Sequence, residues 1–306
     1  RDGVNLDKYH AMMMMSQVET VDKEFNFNQK TYESREVISM ILPEINIIGK
    51  RPKIYMEQYI PFIKYNPKDI SVVINRGKLV QGIIDKSTGG QGTTNSIFHI
   101  IHNEYGAKKA LDCVYSFHQI ANKFLLYKGF TCGIGDMLIS SESIKEIKRR
   151  TAKLLQDARN ITEDLNRRKL IPPIGVSLKD FYEMEQMNAL QPGDDFIEPI
   201  FSDIDFNNNK LSRLVWTGSK GKKANMIATL GAIGTQRVGD DRPGFTFTTG
   251  RTSPYFLRYS TEPRSRGYVS NSYIEGISSD VYMFAASEAR QGLISNAFWR
   301  NQHVTN

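Results

Sequence analysis

Residues 216–226 read WTGSKGKKANM, and this is the most informative stretch of the chain. Gly218 and Gly221 enclose Ser219 and Lys220, so the pattern predicts a tight turn after a strand or loop end, followed by an apolar-periodic helix. The start of a helix carries free N–H groups and a partial positive charge, to which Lys220 adds a full one. The turn is therefore a candidate anion or phosphate site. It lacks P-loop spacing, and a solvated cap remains the commoner alternative.

Other motifs stand on both sides of this turn in a fixed order. Downstream, the chain reads GTQRV (234–238), RPGF (242–245), PYF (254–256), RSRGYVSNSY (264–273) and GI (276–277); upstream, it reads LYKGFTCGIGD (126–136). In this order and at these spacings, the chain from near Arg1 to about Ala297 resembles the largest subunit of multisubunit DNA-directed RNA polymerases. The RNA polymerase II type is more similar than the bacterial β′ type.

The resemblance implies an α+β fold that is mostly helical and has three parts. Residues 1–132 resemble the pore domain, a mixed β/α module, and residues 133–277 resemble the helical funnel domain. Residues 278–306 resemble the start of the long bridge helix that crosses the active-site cleft. In the family, pore and funnel surround the secondary channel. Nucleotides enter through it, and backtracked RNA 3′ ends and cleavage factors also use it.

Individual roles follow from the same resemblance. Lys220 matches the lysine near the incoming triphosphate, and Gly218, Ser219 and Gly221 shape its loop. Asn225 and Gln236 support the channel, whereas Thr235 replaces the first of two paired amides. Four residues support the bridge helix: Arg266, Asn271, Arg290 and Gly292. The chain departs from the family at Gln291, at Ser295 and after Ala297, and such drift predicts a viral source, a large nucleocytoplasmic DNA virus.

The chain lacks the Asn-Ala-Asp-Phe-Asp-Gly-Asp run whose aspartates hold the family's catalytic Mg²⁺, and it also lacks the trigger loop. We therefore expect no catalytic residue, metal or cofactor in this chain, and no RNA synthesis by it alone. Mg²⁺ belongs to the assembled polymerase. The implied partners are the second-largest subunit, the rest of the largest subunit, DNA template, RNA and NTPs, with a possible RNA-cleavage factor at the funnel and no membrane.

Composition sets broader bounds. The 306 residues carry a net charge of +7, which favours a polyanionic partner, and no apolar run approaches the ~18 residues of a membrane helix. Cys113 and Cys132 are predicted to be buried free thiols, which fits a reducing intracellular compartment: host cytoplasm or virion for a virus, otherwise the nucleus. Because the first residue is Arg1, we expect a fragment or processed product. The alternative function is a stand-alone basic, non-catalytic module that binds nucleic acid or a transcription factor.

Periodicity and capping residues predict the local structure. His99 and His102 lack acidic or cysteine partners at metal-ligand spacing, so we expect no zinc site there. The glycine-rich loop 89–92 is expected to be a connector, with a phosphate cradle as the alternative. In the first half of the chain, we expect a helix over 7–20 with Asp7 as its cap and methionines on its core face, a hairpin over 70–84, and helices from 94–95 and over 108–127. Next come an amphipathic helix with a basic outer face over 140–168, a helix over 178–190 and an acidic loop over 191–209. Irregular structure over 241–263 precedes a long helix from about Asp280, which Ser278 caps.

Overall fold

The computed structural model describes residues 5–16, 18, 23, 25–26, 28–50, 70–90, 92–205 and 208–305. Helices dominate in these residues, and the strands described there form three small antiparallel sheets of two, three and two strands, so the predicted α+β, mostly helical class is confirmed. The chain divides into two compact units. The first contains Arg1–Asp136 and Phe206–Lys222, and the second contains Met137–Asp205 and Lys223–Asn306.

The first unit opens with a two-stranded sheet and two short helices. Strand β1 (Asn5–Asp7) pairs with β2 (Thr31–Glu33), and each leads directly into a helix, α1 (Lys8–Met15) or α2 (Ser34–Ile41). Asp7 caps α1 as predicted, because its carboxylate accepts a hydrogen bond from the backbone N–H of His10 at 2.8 Å. The helix ends at Met15 rather than at residue 20, since the backbone N–H of Ser16 bonds back to Met12 and closes it. The predicted methionine core face is present at Met14 and Met15, whereas Met12 is exposed.

A three-stranded sheet forms the second layer of this unit. Strands β3 (Ile47–Lys50), β4 (Val72–Asn75) and β5 (Lys78–Gln81) pair in that order, so the predicted hairpin is confirmed. Arg76 and Gly77 both have positive φ, as the tight hairpin turn requires. The sheet buries Val72, Ile74 and Leu79 against the start of the long helix described next.

The helical part of the first unit follows the sheet. Helix α3 (Lys86–Gly89) begins with a capping box, and α4 (Ile97–Lys128) follows it. The two helices predicted here lie end to end within α4, with a break at Gly106 where φ is +84°. The predicted cap at Thr94–Asn95 is wrong by one residue: Ser96 is the cap, since its hydroxyl accepts from the N–H of His99. Cys113 is buried as predicted, but the prediction for Cys132 is wrong because that thiol is exposed.

The second unit contains most of the remaining helices. Its long helix α5 (Ser141–Asn166) buries Ile147, Thr151 and Ala158. The opposite face exposes Lys145, Lys148, Arg149 and Lys153, so the predicted amphipathic helix with a basic outer face is confirmed. Helix α6 (Leu178–Ala189) matches its prediction within one residue.

The acidic loop predicted over 191–209 is wrong in its middle. A 3₁₀ turn over Asp194–Phe196 leads into helix α7 (Ile197–Asp203). Phe196, Ile200 and Phe201 are buried there, so tertiary packing stabilises a helix that the Pro, Gly and Asp content disfavours. Helix α8 (Lys210–Trp216) belongs to the first unit.

The rest of the second unit consists of α9 (Lys223–Leu230), a two-stranded sheet and the C-terminal helix. Strands β6 (Gly234–Thr235) and β7 (Tyr268–Val269) pair across the segment 236–267, and the part of it predicted to be irregular, 241–263, is irregular. Helix α10 (Ser279–Thr305) begins after Ser278, as predicted, since the carbonyl of Ser278 accepts from the N–H groups of Val281 and Tyr282.

Candidate functional site

The Gly-Ser-Lys-Gly turn is the C-terminal cap of α8, which corrects the strand or loop end expected before it. The N–H of Gly218 donates to the carbonyl of Val215 at 3.2 Å, and the N–H of Lys220 donates to that of Leu214 at 3.3 Å. Gly218 and Gly221 have φ of +72° and +81°, the left-handed region where helices commonly end. The turn exists because α8 needs its last carbonyls satisfied.

Helix α8 was not predicted from the sequence, because it is only seven residues long and follows a polar stretch. Its start is fixed by Asn209, whose side chain accepts from the N–H of Ser212 at 2.8 Å and donates to the carbonyl of Asp136 at 2.7 Å. Trp216 at its end is fully buried. A cap and a buried aromatic residue thus hold the helix whose end carries the candidate lysine.

Lys220 is exposed, and its ammonium has no hydrogen bond or ion pair with any residue that the structure describes. The neighbouring hydroxyls are already used within the cap. Ser219 Oγ donates to the carbonyl of Leu214 at 3.1 Å, and Thr217 Oγ1 donates to that of Arg213 at 2.8 Å. Lys220 is therefore the group of this turn that can reach an anion. A lysine is also favourable at a helix C-terminus, which bears partial negative charge, so the cap alternative retains a physical basis.

The two residues expected to support the loop lie in the second unit. Asn225, on α9, is exposed, and its carbonyl accepts from Thr229 Oγ1. Gln236 is buried, and its backbone N–H donates to the carbonyl of Gly267 at 2.8 Å, next to the β6–β7 pair. Support of the loop by either side chain stays a prediction.

Arg266 belongs to a charge cluster that sequence reasoning missed. Glu183 on α6 accepts from Arg266 Nη2 and from Arg242 Nε, each at 2.8 Å. Burial lowers the pKa of Arg266, and Arg242 adds to this effect, while Glu183 opposes it. The motif RPGF already contained Arg242. Nothing local marked Glu183 as its partner, because the two are 59 residues apart.

Helix α10 is tied to the segment after β6 by two side chains that were not predicted as site residues. Glu288 accepts from the backbone N–H of Arg237 at 3.0 Å, and Gln291 accepts from that of Gly239 at 2.8 Å. Gln291 is one of the positions where the chain departs from the family, and an amide oxygen serves as the acceptor here. The predicted bridge-helix residues Arg290 and Gly292 are exposed, and no neighbouring element in the described part of the chain lies within 4 Å of a Cβ built on Gly292.

The loop before α10 is braced from within. Asn271 Nδ2 donates to the carbonyl of Gly276 at 3.1 Å, and its own carbonyl accepts from the N–H of Ile233 at 3.0 Å. Arg264 binds Asp280 in the first turn of α10 through two nitrogens, at 2.6 and 2.9 Å. That pairing lowers the pKa of Asp280 to about 2.

Within the described ranges, the His, Cys, Asp and Glu side chains form no group of three or more that could hold a metal ion. The ring of His99 accepts from the N–H of Asn95, which gives that histidine a structural role. None of the described helices is both long and apolar enough to cross a membrane.

Comparison with known proteins decides the family. The family model for RNA polymerase Rpb1, domain 3 matches residues 1–137, and that for RNA polymerase Rpb1, domain 4 matches residues 161–269. A DNA-directed RNA polymerase RPB1 homolog of African swine fever virus (strain Badajoz 1971 Vero-adapted) is 34% identical over 295 residues, which is 95% of this chain. The chain belongs to the RNA polymerase largest-subunit family. The homolog from isolate Tick/Malawi/Lil 20-1/1983 is equally similar, at 34% over 295 residues.

The resemblance to the polymerase largest subunit is thereby confirmed, and the stand-alone module finds no support. These relatives are viral, which supports the predicted viral source. The chain spans 20% of the length of both relatives. The division into parts 1–132, 133–277 and 278–306 stays a prediction, because the two compact units follow different boundaries and no comparison tests those three parts.

Proposed function

We propose that this chain is the part of an RNA polymerase largest subunit that lines the secondary channel and supports the active site during template-directed RNA synthesis. The observation that carries the proposal is the 34% identity to a polymerase subunit across 95% of the chain. Residues 1–132 serve as pore, 133–277 as funnel and 278–306 as the start of the bridge helix. Catalytic Mg²⁺ is supplied elsewhere in the assembled enzyme.

The exposed surfaces support assembly with other polypeptides. On α10, the apolar residues Leu293, Ile294, Phe298 and Trp299 are 73%, 44%, 73% and 67% exposed. These side chains project from several sides of the helix, and an exposed apolar cluster of this kind is suited to burial by partners. We assign it to the rest of the largest subunit and the second-largest subunit, and the basic face of α5 to an RNA-cleavage factor. The enzyme works on DNA, RNA and NTPs, in host cytoplasm or virion for a virus and otherwise in the nucleus.

Co-purification tests the assembly. The largest subunit that contains this chain is co-expressed with a tagged second-largest subunit and the remaining subunits, and the eluate is assayed for RNA extension. We expect stoichiometric recovery and extension. The paired charge changes Leu293→Glu and Phe298→Glu should reduce recovery, whereas Lys153→Glu on exposed α5 should leave it unchanged. Recovery that is the same for all variants, or no association at all, would contradict the proposal.

Lys220 is tested in the same assembled enzyme. A charge-assisted contact contributes roughly 1.5–3 kcal/mol, so Lys220→Ala should weaken nucleotide use by about ten- to a hundredfold. The loss should be a raised apparent KM if the contact is equal in ground and transition states. The matched control is Lys222→Ala, because Lys222 is exposed two residues away.

The measurement is the rate of elongation as a function of NTP concentration. A curve that Lys220→Ala leaves unchanged would assign Lys220 to the cap of α8 alone. Family membership would stand in that case, since it rests on the whole chain and not on this side chain.

A further inference from the structure

After its break at Gly106, helix α4 has a second face that the proposed function leaves unassigned. Its inner face, which includes Ala110, Cys113 and Ile120, packs into the hydrophobic cores of the first unit. A helix that lies between a core and water normally carries charged residues opposite its buried stripe, as α5 does. The outer face of α4 does not follow this rule.

The outer face of α4 presents a stripe of exposed, mostly apolar residues. Leu111, Tyr115 and Leu125 are 69%, 49% and 47% exposed, and the exposed His118 and Asn122 lie between Tyr115 and Leu125. We call these five residues the α4 stripe. Their successive intervals are four, three, four and three residues, so they share one side of the helix over about 20 Å.

The spacing of the α4 stripe indicates the shape of what covers it. Alternating intervals of four and three residues keep one seam of a helix facing a second helix. An open groove with a volume of about 790 Å³ adjoins this seam. Val114 and His118 line the groove from α4, and residues of the segment 89–99, among them Phe98, provide the rest of its lining. A seam beside a concave edge suits an amphipathic helix as the occupant.

The charges of this part of α4 favour an acidic occupant. Residues 107–128 contain four lysines, one aspartate and no glutamate. The exposed Lys108 stands three positions before Leu111, and the exposed Lys128 stands three positions after Leu125. Residues three apart on a helix are neighbours, so the α4 stripe has a positive charge at each end. Neither lysine is in an ion pair with any residue that the structure describes.

We propose that the α4 stripe docks an α-helix of the assembled polymerase that lies outside these 306 residues. The apolar residues of that helix pack on the stripe, and its carboxylates bind Lys108 and Lys128. This inference rests on the proposed function for the existence of an assembly, but it involves no residue of α10 or of the Lys220 turn.

Photo-crosslinking in the assembled polymerase identifies the occupant. Tyr115 is replaced by p-benzoylphenylalanine in the largest subunit that contains this chain, and the crosslinked peptide is mapped by mass spectrometry. We expect a crosslink to a segment outside this chain that has apolar residues at helical spacing and acidic residues at its flanks. The same replacement of Lys153 on α5 is the control and should give no crosslink when the cleavage factor is absent.

Other outcomes of the crosslinking would overturn the inference. They are a crosslink to nucleic acid, to a second copy, within the 306 residues or to a segment without that pattern, and no crosslink in an assembly that extends RNA. In each of these cases the proposed function stands, because the assembly itself has formed. Failure of the unmodified subunit to assemble would contradict both.

Charge variants test the acidic character of the occupant through the yield of the same crosslink. The pair Lys108→Glu and Lys128→Glu should lower the yield severalfold, and added salt should reduce this deficit because it screens exposed charges. The matched pair Lys145→Glu and Lys153→Glu on α5 changes the net charge equally and should leave the yield unchanged. Equal effects of the two pairs, or no effect of the first, would contradict the docking of an acidic helix.

Discussion

Gly77 ends the turn of the β4–β5 hairpin in a conformation that favours glycine. Its φ is +70°, and a Cβ built on it would lie 2.3 Å from the carbonyl oxygen of Pro43, a backbone atom that cannot swing away. Its N–H donates to the carbonyl of Ile45 at 2.9 Å. Gly77→Ala therefore meets two penalties, a left-handed backbone and a clash.

Gly49 in β3 offers a control with only the first penalty. Its φ is +81°, but no atom of the described residues lies within 4 Å of an added Cβ. We expect Gly49→Ala to lower the free energy of unfolding by about 1–2 kcal/mol, and Gly77→Ala to lower it by at least about 1 kcal/mol more, as for other overpacked sites. Urea unfolding of both variants measures the difference. Equal losses would show that Pro43 moves aside without cost.

At the scale of single elements, the start of α10 carries a pH-dependent contact. Arg264 holds Asp280 in its charged form and lowers its pKa to about 2 in the folded protein. Because this value lies below that of the unfolded chain, the contact stabilises the fold at neutral pH, and the contribution is lost as the pH falls through about 2. Asp280→Asn should therefore lower Tm at pH 7, and the difference from the unmodified chain should shrink towards pH 2.

The measurement is thermal unfolding at pH 7, 4 and 2. Asp240→Asn is the control, since Asp240 lies in an exposed loop and has no ion pair within the described ranges. An Asp280→Asn deficit of the same size at every pH would contradict the assignment, because it would arise from packing or capping rather than from the charge.

The helices differ in how clearly the sequence predicts them. Helix α5 was predictable because Ile144, Ile147 and Leu154 recur at helical spacing between charged residues. Residues close together in the sequence therefore define its buried face. Helix α7 was not, because seven residues with a proline inside give a weak period. Its stability comes from burying Phe201 and Ile200 against other elements.

At the scale of the whole molecule, we predict that the isolated chain does not extend RNA. It lacks the family's aspartate run, and its described residues form no metal-binding group. Two-metal phosphoryl chemistry requires such carboxylates. The measurement is primer extension with Mg²⁺, NTPs and a primed template, with the assembled polymerase as the positive control. Metal-dependent extension by the pure chain would refute this prediction.

The family, the fold class and the principal helices were determined by the sequence itself. Caps such as Asp7, turns such as Asn75-Arg76-Gly77 and helical stripes depend on residues within about four positions of one another. Motif order along the chain likewise identified the polymerase subunit. In the candidate site, the exposure of Lys220 between two glycines was also predictable, because a Gly-Ser-Lys-Gly turn contains no apolar side chain whose burial would also bury the lysine.

Contacts between residues far apart in the sequence became visible only in the folded chain. Glu183 bridges Arg242 and Arg266 over separations of 59 and 83 residues, and Gln291 binds the N–H of Gly239 over 52. The structure also showed that the Lys220 turn closes a helix, because the carbonyls it satisfies belong to α8. These pairings depend on how backbone segments pack, and an unsatisfied buried donor such as Arg242 Nη1 exists only once packing has removed it from water.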